Sequence, residues 1–138
     1  MNPASPAEEF AAIGSVSDTL TILGKKFTMH TLDSDDEAVS SSACAVFDKE
    51  TKERVLKIEK LARAITAIDG VPFSLTEEEK AQKMNEVGKA RKLIFRWHQI
   101  VVNKVYAGLE SLEARREQAV EALEKNALTP TTPSGSGK

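Results

Sequence analysis

The sequence predicts a mainly α protein: an N-terminal β-hairpin over about residues 19–32, then a three- or four-helix antiparallel bundle with a long C-terminal helix. Three observations carry this. Apolar residues alternate in TLTIL and again in FTMHT, the period of a half-buried strand. From Asp33 onward they recur every three or four residues, the period of one helix face. From Trp97 to Ala127 there is no proline, so nothing in that stretch removes a helical hydrogen bond or forces a kink.

Residues 1–17 read as a flexible arm. Pro3, Ser5, Pro6, Ser15 and Ser17 punctuate it, and EEFAAIG leaves room for about one helical turn. Phe10 and Ile13 make it an arm with something apolar to dock on a neighbour. The folded domain is placed at 18–127. In its ribbon, Leu20 and Ile22 share one face, and Phe27 and Met29 share one on the second strand. Gly24 supplies the positive φ that a short hairpin loop requires. A two-stranded ribbon is barely stable alone, so it must pack on the helices or on a sheet of another subunit.

Asp33 or Ser34 caps the next helix, and the acids behind them suit the positive end of its dipole. Val39, Ala43, Val46 and Phe47 keep a helical spacing. A polar run, DKETKE, interrupts them, and the spacing resumes through Val55, Ile58, Leu61, Ala62, Ile65 and Ile68. This predicts one long helix over 33–68, or two joined near Asp48, ending at Asp69-Gly70 before Pro72. Thr76 and Glu79 have the spacing of a capping box. They open a helix with an apolar stripe at Met84, Val87, Ala90, Leu93 and Ile94. The last helix has a heptad-like seam at Val102, Val105, Leu109 and Leu112. The seam degrades through Arg116 and Ala119 before Leu123, so its first half is expected in the core and its second half to project. The tail, 128–138, is rich in Pro, Thr and Ser and is expected to be disordered.

Composition narrows the function classes. Charged residues make up 29% and nearly cancel, leaving −2, which argues against a surface built for non-specific nucleic-acid binding. Aromatics are 5%, so the core is expected to be aliphatic. Cys44 stands alone, which excludes an internal disulfide and a cysteine-based zinc site. No basic start followed by an apolar run is present, and the apolar stretches are too short to span a bilayer, so neither a secretory signal nor a membrane role is expected.

Candidate chemistry is thin. His30 and His98 have no metal-ligand spacing. The acids at 33–37 fail as a calcium loop, because Ala38 and Cys44 stand where glycine and glutamate are needed. Gly24-Lys25-Lys26 lacks the rest of a phosphate loop, and Ser40–Ser42 lack a nucleophile-elbow frame. The expectation is a non-enzymatic protein with no catalytic residue, metal or cofactor. Arg91, Lys92, Arg96 and Trp97 in ARKLIFRWH give the one alternative, a small nucleic-acid-associated regulator that stacks bases and touches phosphates through segment 91–97.

The blocks TLTILGKKFTMHTL, RVLKIEKLARAITAIDGVPF and WHQIVVNKVYAGLESLE, spanning roughly residues 19–113, resemble small tail-assembly proteins of long-tailed bacteriophages. These are the tail assembly chaperone-like and baseplate hub-associated chaperone-like proteins. The resemblance rests on the short ribbon, the acidic helix start, LARAITAIDG, and the spacing of Val102, Tyr106 and Leu109. It implies a non-catalytic protein that holds another tail component, such as the tape measure, hub or tube. It also implies work in the host cytoplasm during virion assembly, or a place in the tail as a structural subunit. The residues expected to meet a partner are Phe10 and Ile13 in the arm, Phe27 and Met29 on the ribbon, and Trp97, Tyr106, Leu112 and Leu123 near or on the last helix. Binding would use helix packing first and ribbon-edge addition second; a homo-oligomer is left open.

Overall fold

A computed structural model describes residues 5–128. Among them the chain forms six helices and a three-stranded antiparallel sheet. The expected tail falls outside the described residues except for Leu128, as does the start of the arm, residues 1–4.

The ribbon is where the alternation places it. Strand β1 (Ser17–Ile22) pairs antiparallel with β2 (Lys25–His30), with Leu20 opposite Phe27 and Asp18 opposite Met29. Leu23 and Gly24 form the turn, with φ of 51° and 81°. Two successive left-handed residues match the twist of the flanking strands, although Leu23 adopts that conformation less readily than glycine does.

The helix expected to run to Ile68 ends four residues earlier. Helix α2 (Ser34–Ala43) is capped by Asp33, whose side chain accepts from Asp36 N at 2.8 Å. Helix α3 (Lys49–Ala64) is capped in the same way by Asp48 through Thr51 N at 2.9 Å. So the stretch holds two helices broken before Asp48, and then Ile65–Ile68 becomes strand β3. It pairs antiparallel with β2, with Phe27 opposite Ile68 and Met29 opposite Ile65, and a bulge between. Ile65, Thr66 and Ile68 are β-branched and suit a pleated surface, and the edge of β2 offers the hydrogen-bonding groups they satisfy. Asp69-Gly70 is thus a second two-residue turn (φ 51° and 79°), not a helix cap. Asp69 locks it to the ribbon: its carboxylate accepts Lys26 N–H at 2.8 Å and its own N–H donates to Lys26 O at 2.7 Å.

The helix expected over 76–94 is also divided. Thr76 and Glu79 do form the capping box, opening α4 (Glu77–Ala81). Lys83 then takes a left-handed φ of 62°, and Asn85 caps a new helix, α5 (Glu86–Ile94), by accepting from Gly88 N at 2.7 Å. In the arm, Ser5 and Glu8 make a further capping box that opens α1 (Pro6–Ala12). The last helix, α6 (Gln99–Leu128), has 30 residues and spans about 45 Å at the usual rise.

Helices α6 and α3 cover one face of the sheet region, while α2 and α5 pack on α3. The core between them is mostly aliphatic: Met29, Leu32, Ile58, Leu61, Ile94, Val102, Val105, Leu109 and Leu112 are fully buried or nearly so. Phe27 meets Trp97 edge to face, with ring centroids 6.2 Å apart. The closest approach is at Gly108, where a Cβ would stand 2.8 Å from Ile22 Cδ1 and 3.1 Å from Met29 Cε.

That approach sets a stability test. Gly108→Leu should lower stability by about 1–3 kcal/mol through overpacking, seen as a fall in thermal midpoint. Gly108→Ala should be near neutral, because a helix-propensity gain of about 1 kcal/mol offsets the tight contact. Equal midpoints for wild type and Gly108→Leu would show that the helix does not sit this close.

Candidate interaction surface

The two buried carboxylates, Glu59 and Glu79, tie helices together. Glu59, on α3, accepts Arg91 Nε at 2.7 Å and Nη2 at 3.1 Å from α5, and Arg63 Nη1 at 2.8 Å from its own helix. Burial alone would raise its pKa; the hydrogen bonds from Arg91 and Arg63 outweigh that and leave it below the ordinary value. Glu79 accepts Lys89 Nζ at 2.8 and 2.9 Å and Thr76 N–H at 2.8 Å, tying α4 to α5. The Lys89 contact, then the Thr76 N–H, bring its carboxyl from 4.5 to about 2. His30 Nδ1 lies 2.8 Å from Thr31 O, and His98 Nδ1 accepts Ile100 N–H at 3.1 Å at the start of α6. Among the described residues, no group of three or more His, Cys, Asp or Glu side chains could hold a metal ion. Nor is any helix among them long and apolar enough to cross a membrane.

The eight residues expected to meet a partner divide by burial. Phe27, Met29 and Leu112 lie inside the core and present no surface. Their alternating or heptad spacing marks an inward face, and here that face is filled by the protein's own helices and sheet. Trp97 and Tyr106 pack against the core and are half-buried; Lys57 Nζ stands 5.6 Å above the Tyr106 ring. Phe10 (74%), Ile13 (39%) and Leu123 (48%) are exposed. In the basic-aromatic segment, Arg91 is engaged by Glu59 and Trp97 by Phe27, which leaves Lys92 and Arg96 exposed.

The structure seats the end of the arm, at Gly14, on the far half of α6. After α1 the chain turns at Ile13, and Gly14 lies directly on α6: a Cβ there would be 2.8 Å from Val120 Cγ2 and 3.1 Å from Arg116 Cγ. Val120 is 43% exposed. Leu123 follows it by three residues, about one helical turn further out on the same side. From Val120 to Asn126 every side chain is exposed, so the helix runs on past the core.

Two polar clusters aim this extension. Arg116 donates to the Leu32 carbonyl and pairs with Glu113 and, at 3.3 Å, with Glu37; Glu113 in turn accepts Leu32 N–H at 3.3 Å. Together they bolt α6 to the connection between β2 and α2. At the adjacent residue, Arg115 Nη2 holds Asp18 Oδ2 at 2.9 Å, and Asp18 Oδ1 accepts Thr19 N–H at 2.7 Å. The Arg115 bond, then the Thr19 N–H, keep the Asp18 carboxyl below its ordinary pKa.

Val120 was not among the expected residues. The heptad seam passes through Arg116, Ala119 and Leu123, but a straight helix drifts about 20° per heptad from that repeat. The true stripe therefore moves onto Val120, and a 3.6-residue period extended from Leu109 would have found it. Other exposed apolar side chains, such as Leu23, Val46, Val71 and Ile100, sit at turns and helix starts. Scattered surface residues of that kind are ordinary.

No family model matches the sequence, and no curated protein or solved structure matches the chain.

The Glu79 geometry makes a pH prediction. A carboxyl depressed in the fold contributes stability above its unfolded value, and that contribution drains away as pH falls toward the folded value. The stability gap between wild type and Glu79→Gln should be full above pH 4.5, shrink between 4.5 and about 2, and vanish below. Urea midpoints across that range measure it; a gap that does not change with pH would contradict the assignment.

Proposed function

We propose that the chain is a non-catalytic bacteriophage tail assembly protein, a chaperone or a hub- or tail-associated subunit, that captures another tail protein on the face formed by the arm and the far half of α6. One observation carries the choice of face: α6 leaves the core after Leu112 and continues with Val120 and Leu123 exposed, Val120 lying against Gly14 of the arm. A helix embedded at one end and bare at the other suits helix-to-helix capture. The phage reading rests on the sequence resemblance, with the tape measure, hub or tube as the component held. It sets the work in the host cytoplasm during assembly, with retention in the tail as the variant for a structural subunit. In the same reading, α3, α5 and α6 serve as an antiparallel bundle that braces the sheet.

Ribbon-edge addition is the weaker mode. In a hairpin closed by a two-residue turn, Ile22 and Lys25 exchange hydrogen bonds, so Thr21, Thr19 and Ser17 direct their backbone groups to the open edge. Asp18 already occupies the Thr19 N–H. The nucleic-acid alternative loses Arg91 to Glu59.

The test uses the tagged chain co-expressed with candidate tail proteins. Val120→Asp with Leu123→Asp should abolish co-purification while leaving the domain folded, because both side chains lie outside the core. Leu112→Asp is not a usable probe, because it would bury an unpaired charge and unfold the domain. Undiminished capture by the double variant would refute the proposed face.

A further inference from the structure

The charges around the exposed end of α6 specify what can sit on it, an inference that rests on the proposed use of that end for binding. Glu117, Glu121 and Glu124 follow one another at intervals of four and three, so they form a row along the helix. Arg116, Val120 and Leu123 form the neighbouring row, displaced by one residue. The glutamates are exposed. The nearby cations offset them only in part: Arg115 is held by Asp18 and Arg116 by Glu37 and Glu113, and Lys125, four residues on from Glu121, is one charge against three. Where the two rows meet, Arg116, Glu117, Val120 and Glu121 line a shallow, open depression on α6 itself.

We infer that this end of α6 is a docking face for a cationic amphipathic helix, one whose apolar anchors cover Val120 and Leu123 and whose lysines or arginines lie along Glu117, Glu121 and Glu124. Charge complementarity selects this occupant. A second copy paired antiparallel about a two-fold axis would set one glutamate row against the other, and like charges in contact are strongly unfavourable. An acidic or neutral helix would bury the apolar stripe but leave the glutamate row partly desolvated and unpaired. A basic flank pairs the glutamate row while its apolar anchors cover Val120 and Leu123.

The probe is a fluorescein-labelled synthetic helix with a Leu/Lys amphipathic pattern, compared with a Leu/Glu helix of the same pattern. Binding to the full chain is read by anisotropy at physiological salt. The Leu/Lys helix should bind at least about tenfold tighter than the Leu/Glu helix. Val120→Asp with Leu123→Asp should weaken it about tenfold or more, since hot-spot apolar anchors carry effects of that size. Glu117→Lys, Glu121→Lys and Glu124→Lys together should reverse the preference between the two peptides. Ile100→Asp, at the far end of the same helix, should change nothing. Equal binding of both peptides, or binding indifferent to the Val120 and Leu123 substitutions, would overturn the inference. So would a dimer in light scattering that Leu123→Asp dissolves, because the face would then belong to a second copy. If the double aspartate variant loses its tail protein but no charge preference is found, the proposed function stands and this inference alone falls.

Discussion

The seating of α6 on the sheet governs the rest of the molecule. At Gly108 the helix backbone comes close enough to Leu20, Ile22 and Met29 that a methyl group would crowd all three. Such an approach lets Val102, Val105, Leu109 and Leu112 bury completely, at about 1.5–3 kcal/mol for a fully buried aliphatic side chain. It also gives the sheet the apolar cover that a small ribbon needs to persist in water. Because α6 is one unbroken helix, its position at Gly108 also settles where residues 113–126 go. The direction of the exposed end is thus an outcome of core packing.

Ion pairs do a different job here from the apolar contacts. Glu59 with Arg91 and Arg63, and Glu79 with Lys89, hold short helices whose own stripes are narrow. A buried pair of this kind adds little over well-packed apolar residues, but losing one partner is costly because the other charge stays buried. It therefore acts mainly on geometry: α5 has one orientation on α3 that satisfies Glu59. Arg116 does the same for α6, and a partner reaching the exposed end would meet a helix already fixed by Leu32, Glu37 and Glu113.

Signals confined to a few residues were legible in the sequence. The alternation of β1 and β2, the Asp33 cap, the Thr76–Glu79 box and the unbroken run of α6 each depend on neighbours within about one turn. Strand β3 was not legible, because Ile65 and Ile68 continue the helical spacing of Val55 to Leu61. What makes them a strand is pairing with β2, some forty residues back in the chain. The split after Ala81 was hidden similarly, since Met84 and Val87 fit the stripe while the left-handed Lys83 carries no clear turn signature. Of the residues the sequence offers for a partner, Phe10, Ile13 and Leu123 are exposed, whereas Phe27, Met29 and Leu112 are core, as their inward periodicity marks. Arg116 was read as a defect in a seam; it is the anchor that ends the core.

The size of the exposed face limits what it can do alone. Ile13, Val120 and Leu123 are already about half covered by their own chain, so covering the rest yields only a fraction of the roughly 1.5–3 kcal/mol of full burial apiece. Association consumes about 4–15 kcal/mol of lost translational and rotational freedom. Apolar contact at this end is therefore too small to hold a partner permanently, and two features have to supply the difference. One is rigidity: a helix fixed by the core loses little entropy when it binds. The other is the glutamate row, which speeds encounter with a basic partner more than it tightens the complex. Fast capture with ready release is what an assembly chaperone requires, whereas a permanent tail subunit would need a larger buried area than this end provides.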